Sequence, residues 1–509
     1  MYKFTPNNPG LIMKKWFGVP LLICFIFLQN LFAQQENLRK IDSYIQHAMD
    51  DWEMPGFAVA IVKNDSVIFE KGYGVRETGT DEQVDVNTLF VIASCSKAFT
   101  TASLAILVDQ GKINWDDQVI KYLPGFQMYD SWVTNQITIR DLITHRSGLA
   151  TFSGDFLWLG STYNREEVIR RIRYLKPTSS FRTKYGYQNL MFITAAEIIK
   201  AVTDTSWGDF IQAHILNKIG MTHTNTSYAQ LYEAEDVAKA HYFKNGEMKV
   251  YSDFQGDNAQ GALGINSCIH DMAQWIRLQL GKGKYEDKRI FSERESNEMW
   301  SNQFAFGNMN YGLGWFIRYK NGKRIMNHGG GMPGMISDIT VVPEENFGFV
   351  ILSNYESGMV NAVRNYIIDT MTGVEPQDYE ERMLDAWARR IERYDNELKR
   401  REEIRVKDTK PSMPLEKYCG IYEDKMYGKA EVSLKDGGLY LQLLPTPTFG
   451  GELHHYQYDT FYIDWKDEFL TRGFVKFEMD FNGNPDKISL EVPNSPDFIF
   501  TELSFERLK

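Results

Sequence analysis

The sequence predicts an α/β (α+β) sandwich, with an antiparallel sheet flanked by helices and interrupted by a helical insertion, and a separate C-terminal antiparallel β-barrel. Three observations carry this reading. Strand-like runs stand at both ends of residues 36–373, with helical periodicity between them. Residues 374–408 then switch to dense mixed charge at helical spacing, the signature of a solvated connecting helix. Beyond them, residues 409–509 alternate apolar and polar positions between DGG and NGN turns.

Each element follows in chain order. "ENLRKIDSYIQHAMDDW" spaces its apolar residues as a helix, and "GFAVAIVKNDSVIFEKGYG" reads as two strands turning at Asn64-Asp65. Thr88 to Asp109 is helical in pattern and stopped by Gly111. Residues 112–260 mix short helices with loops, including the aromatic "TFSGDFLWLGSTY", and "INSCIHDMAQWIRLQL" is a further helix. Strands return with "YGLGWFIRY", "RIMNHGG", "MISDITVVP" and "FGFVILSN", the last two joined by "EENFG". First and last strands are far apart in sequence, so the sheet must close by long-range pairing. The final module contributes "AEVSLKDGGLYLQLL", "FYIDW", "FVKFEMDFNGNPDKISLEV" and "FIFTELSFERL".

Composition narrows the function. The chain of 509 residues carries a formal charge of −11, and residues 1–33 contribute three Lys and no acid, so the body is more acidic still. Such a surface repels phosphate backbones, which argues against nucleic acid as a partner. Residues 1–33 read as a signal peptide: Lys14-Lys15, the apolar run "WFGVPLLICFIFL", and Ala33 as a cleavage point. The expectation is a periplasmic or secreted protein with no stable membrane partner after cleavage; an uncleaved membrane anchor is the alternative. Of the four cysteines Cys24 lies in the signal segment, and Cys95, Cys268 and Cys419, which would remain after cleavage, are too few and too scattered for a disulfide framework; neither CxxC nor HExxH spacing occurs, so no metal is expected.

The chemistry concentrates in three short motifs. Ser94-Cys95-Ser96-Lys97 is the single S-x-x-K of the chain, and Lys97 is the only charge between Asp85 and Asp109. Three residues apart on a helix, Ser94 and Lys97 face the same way. A serine hydroxyl needs a base to become a nucleophile, and a desolvated lysine can be that base. Cys95 and Ser96 point elsewhere and read as packing residues. Tyr187-Gln188-Asn189 supplies a phenol to relay the proton and an amide to hold a substrate carbonyl. A second Y-x-N, Tyr394 to Asn396, lies in the charged helix where nothing would activate it. His328-Gly329-Gly330-Gly331 is a glycine turn against which a substrate can lie, its backbone N–H groups available to an oxyanion. Each motif alone also has a purely structural explanation; their order and number are what point to a site.

Together these motifs resemble the serine β-lactamase and penicillin-binding-protein superfamily, in its class C-type branch of esterases, D-aminopeptidases and D-Ala-D-Ala carboxypeptidases. "ITIRDLITHRSGLA", "DDQVIKYLPGF", "LNKIGMTHTNTS", "YGLGW" and "GGGMPGMISDITVVPEENFGFVILSN" extend the likeness over residues 40–370. The resemblance implies a β-lactamase/transpeptidase-like sandwich, and residues 409–509 resemble the lipocalin-like domain of some members. It assigns Ser94 as the acylated nucleophile, Lys97 as its base, Tyr187 as second proton carrier and Asn189 as substrate-side amide. Ser94 and Gly331 would form the oxyanion hole, and His328, Gly329 and Gly330 would contact substrate. Tyr185, two residues from Tyr187, fits the motif less well. His328 and Gly329 stand where penicillin-recognising members have the Lys and Thr of K-T-G. That replacement counts against recognition of a β-lactam or D-Ala carboxylate and is similar to the H-x-G of D-aminopeptidases and several esterases, with His328 donating a hydrogen bond or carrying charge below its ordinary pKa of ~6.5. Peptide or amino-acid amides are expected first, simple esters second and β-lactams last.

The expected activity is therefore that of a serine hydrolase, acting on a small peptide, amide or ester without a cofactor. Phe152, Phe156, Trp158 and Tyr163 are candidates for an apolar pocket wall. A non-hydrolytic β-lactam or peptidoglycan sensor, and a barrel that carries small apolar ligands, are the rival readings. Nothing in the sequence sets the oligomeric state.

Overall fold

The computed structural model describes residues 1–2, 18–244, 246–251, 256–493 and 498–509, with backbone alone for residues 18–31. Most of the expected signal segment, Cys24 included, lies outside the described residues or side chains. A helix, Gly18–Asp51, runs through the expected cleavage point. Among the described residues no helix is long and apolar enough to cross a membrane.

An eight-stranded antiparallel sheet organises the first domain. Its order is Ser66–Gly74, Gly56–Lys63, Phe347–Ser353, Met335–Val342, Lys323–Met332, Phe316–Lys320, Met309–Tyr311 and Phe304–Phe306. The N-terminal hairpin closes on the last strand, with Phe57 opposite Ser353 and Lys63 opposite Phe347. Its turn has positive φ at both Asn64 and Asp65, the type I′ geometry that matches strand twist.

"GFAVAIV" is apolar without a break because both faces of the sheet are covered. Phe57, Val59 and Ile61 pack with Ile41, Ile45, Val363 and Ile367 of the helices Gly18–Asp51 and Met359–Met371. Ala58, Ala60 and Val62 face the opposite core with Ile276 of the helix Ile269–Leu280 and Phe99 of the helix Ser96–Asp109. The two-residue period of a strand sends alternate side chains to these two layers.

The charged segment forms a 26-residue helix, Tyr379–Ile404. Its end is fixed to the last module: Tyr456 Oη donates to Arg401 O at 2.6 Å and Arg405 Nε donates to Tyr456 O at 2.8 Å. That module is a closed barrel of eight antiparallel strands, the first, Gly420–Asp424, pairing with the last, Ser504–Arg507. Leu439, Leu441 and Leu443 point inward, as the alternating sequence requires.

The two modules are clamped together. Thr162 N–H donates to Pro445 O at 2.8 Å, Tyr163 Oη to Tyr427 O at 2.7 Å, and Gly154 N–H to Glu502 Oε2 at 2.9 Å.

Candidate active site

Ser94 does not lie in the helix that its sequence context predicts. The chain forms a short strand, Phe90–Val91, then a 3₁₀ turn, Ala93–Cys95, before the helix Ser96–Asp109 begins. Ala93 causes the break: its φ of +45° is left-handed, a strained state that costs an alanine about 1–3 kcal/mol. The surroundings hold it there. Phe90–Val91 pairs with Asn266–Ser267, Ile92 N–H bonds Ile265 O at 3.1 Å, and Ile265 N–H bonds Ser96 Oγ at 3.1 Å.

The sheet docks onto this turn through small residues. Ser337 Oγ donates to Ile92 O at 2.8 Å, and Cys95 Sγ donates to His328 O at 3.2 Å. Burial, only partly offset by the Ser337 hydroxyl, pushes the Cys95 thiol up to about 12, so it is a joint and not a rival nucleophile. Gly330 sets the approach. A Cβ there would stand 2.1 Å from Ile92 O and 2.4 Å from Ser337 Oγ. Expected to face substrate, Gly330 is instead buried beneath the serine turn. Gly329 and Gly331 are exposed on the same strand. Residues up to Asn327 pair with Phe316–Lys320, whereas residues 328–332 pair only with Met335–Ile339. The outer edge beside Ser94 is therefore open to an incoming backbone.

Lys97 is fully buried, and its Nζ lies 3.0 Å from Ser94 Oγ, 2.7 Å from Asn189 Oδ1 and 3.0 Å from Ala262 O. Asn189 Oδ1 and Ala262 O only accept. A neutral amine with two hydrogens satisfies both and keeps its lone pair for the Ser94 hydroxyl. Burial lowers the Lys97 pKa to about 7, with Asp155 pulling it back up. The lysine is thus available as a base near neutrality.

Asn189 opens the helix Asn189–Thr203 and is committed at both ends, since its Nδ2 donates to Asp155 Oδ2 at 2.7 Å. The expected hold on a substrate carbonyl is replaced here by orientation of Lys97. Tyr187 lies with its ring centroid 4.8 Å from Lys97 Nζ. His145 sets that segment: its Nδ1 accepts from Gln188 N–H at 3.0 Å and its ring packs 4.3 Å from that of Tyr187. Tyr185 turns away to stack on Phe306.

His328 departs from expectation. It is 1% exposed, and Gly329 O, which can only accept, takes its Nδ1–H at 2.7 Å. Nε2 therefore accepts from Tyr311 Oη at 3.1 Å. Burial, reinforced by Lys97, pushes its pKa down to about 3, so it stays neutral and offers substrate neither a charge nor a free donor. Burial, Lys97 and His328 likewise hold His145 well below its ordinary pKa.

The aromatic loop splits. Phe152, half-buried, packs 5.4 Å from the Tyr187 ring and remains at the site. Phe156 is no pocket wall: it inserts among Tyr427, Phe449, Phe498 and Phe500 at the barrel mouth. Trp158 is 3% exposed in the core, and Tyr163 bonds the barrel. The physical reason is that an aromatic loop facing an aromatic barrel rim buries more apolar surface against it than against water. Between the modules lies a cavity of about 160 Å³, lined by Leu159, Met332, Pro333, Phe449, Phe469 and Phe498. Met332 directly follows Gly331, so the cavity adjoins the open edge.

Three residues at the site have no motif of their own: Asp155, His145 and Tyr311. Their signal was only their place in "TFSGDFLW", "LITHRSGLA" and "YGLGW".

Comparison with known proteins addresses the family and the fold. A beta-lactamase family model matches residues 41–370, and a domain of unknown function, DUF3471, matches residues 404–507. The chain is 28% identical over 411 residues to an "Unguisins hydrolase ungD'" of Aspergillus campestris, covering 75% of each chain. It is 29% identical over 333 residues to "Protein flp" of Staphylococcus aureus, covering 64% of each. The octameric penicillin-binding protein homologue from Pyrococcus abyssi shares the fold, with a TM-score of 0.60 at 21% identity, over 90% of this chain and 98% of that one. The matched family spans the sheet, the serine turn and the open strand edge alike, and the chain belongs to the beta-lactamase family.

Proposed function

We propose that the protein is an exported serine hydrolase that cleaves a peptide-type amide, or an ester, through an acyl-enzyme on Ser94. The observation that carries this is the Lys97 hydrogen-bond set: a buried amine with two neutral acceptors and a serine hydroxyl at 3.0 Å. Ser94 Oγ attacks the carbonyl carbon while its proton passes to Lys97 Nζ. The N–H groups of Ser94 and Gly331 hold the oxyanion, each such donor being worth ~3 kcal/mol in comparable sites. The proton then reaches the leaving amine or alcohol through the Lys97–Tyr187 pair, the carbon–leaving-group bond breaks, and water reverses the sequence. Lys97 and Tyr187 act as a pair, and neither is assigned as sole base.

Amides are ranked above esters, and β-lactams come last because neutral His328 supplies no cation for their carboxylate. The hydrolase name of one relative supports the reaction class. The cavity at Met332 favours a substrate with a small apolar group near the scissile bond. The N-terminal apolar run supports export to the periplasm or medium, with cleavage near Ala33, which the N-terminal sequence of the mature protein tests.

The test of the reaction is a panel of D- and L-amino-acid p-nitroanilides, p-nitrophenyl esters and nitrocefin, run on wild type and Ser94→Ala. Anilide or ester turnover that disappears in Ser94→Ala is expected. Nitrocefin turnover well above the others would overturn the ranking, and full activity in Ser94→Ala would overturn the mechanism. A stoichiometric acyl adduct that never turns over would make the protein a sensor.

A further inference from the structure

A second cluster lies away from the catalytic residues, where the segment after Met221 meets the start of the helix Ile269–Leu280. Cys268 caps this helix and is buried. Asp271, three residues on, is also fully buried. Its Oδ2 accepts three donors: His223 N–H, Thr224 N–H and Thr224 Oγ1–H, each at 2.8 Å. Among the described residues Oδ1, by contrast, has no hydrogen-bond partner. His223 Nδ1 stands 3.5 Å from it, and Cys268 Sγ completes a trio whose ligand atoms all lie within 4.8 Å of one another.

We propose that His223 Nδ1, Cys268 Sγ and Asp271 Oδ1 form a binding site for a thiolate-tolerant divalent transition metal, zinc first, with a solvent ligand in the fourth position. The spacing supports it. Ligands about 2.1 Å from a tetrahedral zinc stand about 3.4 Å apart, so 3.5 Å is long for a hydrogen bond but right for one edge of that tetrahedron. Charge supports it too. One thiolate, one carboxylate and a neutral imidazole balance a dication, so the filled site is neutral and its burial carries no net charge. The bonds to Asp271 Oδ2 leave Oδ1 as the atom to turn toward a metal, the outer-shell arrangement that metal carboxylates need. His223 is 46% exposed and gives the ion its route in. The sequence pointed to no metal because the ligands come from two segments, in spacing that matches no linear motif. The site is structural: it pins one segment to another and adds no step to hydrolysis.

The test uses the full chain, stripped with chelator and titrated with Zn²⁺ and, as a spectroscopic probe, Co²⁺. One equivalent of zinc at sub-micromolar Kd is expected, with a rise in Tm that grows with free metal. Co²⁺ should give tetrahedral d–d bands and a thiolate charge-transfer band in the near ultraviolet. Cys268→Ser puts a favoured helix-capping residue at the N-cap and His223→Gln lies half in solvent, so both variants should fold. Each should weaken zinc at least tenfold, and Cys268→Ser should abolish the charge-transfer band. Hydrolysis per folded molecule should not change. Absence of stoichiometric binding would overturn the proposal. So would binding that survives both variants and falls instead in His47→Gln, which removes a ligand of the other trio, His47, Asp51 and Glu380.

Discussion

Asp141 and Lys97 are both withdrawn from water in the same domain, and they are surrounded in opposite ways. Asp141 accepts from Arg146 Nε at 2.6 Å, from Arg182 Nη2 at 2.6 Å, and from Thr138 N–H and Oγ1–H at 2.9 and 2.8 Å. Burial alone would raise its pKa, but the Arg182, Thr138 and Arg146 contacts outweigh it and hold the carboxyl below its ordinary value. Among the described residues the hydrogen bonds of Lys97 go to a hydroxyl, an amide and a backbone carbonyl, and burial outweighs the pull of the Asp155 carboxylate. A buried charge fully matched by opposite charge holds structure together. One matched only by neutral dipoles is left near its neutral form, ready to take a proton.

That contrast can be broken or sharpened by substitution. The largest effect belongs to Ser94→Ala and Lys97→Met, each expected to lower kcat by about 10⁴-fold or more with the fold intact. Circular dichroism beside steady-state rates checks both, and a Lys97→Met enzyme within tenfold of wild type would collapse the distinction. Next comes Asp141→Asn, which leaves two guanidinium groups short of a partner and should cost about 3–5 kcal/mol of stability. Denaturant melts should show it, while kcat per folded molecule stays within a few-fold. Because the folded pKa of Asp141 is depressed, its stabilisation is present above about pH 4 and is lost as pH falls through the folded value.

Gly330→Ala tests the joint between sheet and serine turn. Its Cβ must push the strand off Ile92 O, and a displacement on the order of 1 Å at the reacting groups costs about 10²-fold in kcat. Gly331→Ala, where the nearest atom is 3.4 Å away, is the milder control.

The smallest effect is a shift on the pH axis. Lys97 must be neutral to accept the proton, so kcat/KM should fall as pH drops below about 7. Asp155 opposes the lowering of that pKa. Asp155→Asn should therefore move the acid limb to lower pH by up to about one unit, equivalent to about 1.4 kcal/mol. His328, at about 3, should add no inflection between pH 5 and 9. A limb that stayed in place in Asp155→Asn would show that the carboxylate does not reach Lys97 electrostatically.

Much of the fold was legible in the residues. The apolar run of Gly56–Lys63, its Asn64-Asp65 turn, and the alternating strands after Pro411 each state their local structure through side-chain period and turn chemistry. Thr88–Asp109 was not legible to the same degree: its pattern is helical, and only the pairing of Phe90–Val91 with Asn266–Ser267 makes the first part a strand and a strained turn. At the site, motif spacing pointed to Ser94, Lys97, Tyr187 and the glycine strand. It missed Asp155 and His145, which act through contacts with residues 34 and 43 positions away.

By itself, then, the sequence singled out Ser94 and Lys97 as the candidate serine–lysine pair, because S-x-x-K spacing is a local property of the chain. Only the tertiary structure decided that Lys97 is buried with a hydroxyl, an amide and a backbone carbonyl as hydrogen-bond partners, that His328 is neutral with both nitrogens engaged, and that Phe156 belongs to the barrel. Burial and hydrogen-bond partnership are set by what arrives from distant parts of the chain, and those two quantities fix whether a titratable side chain is a base, a strut or a spectator.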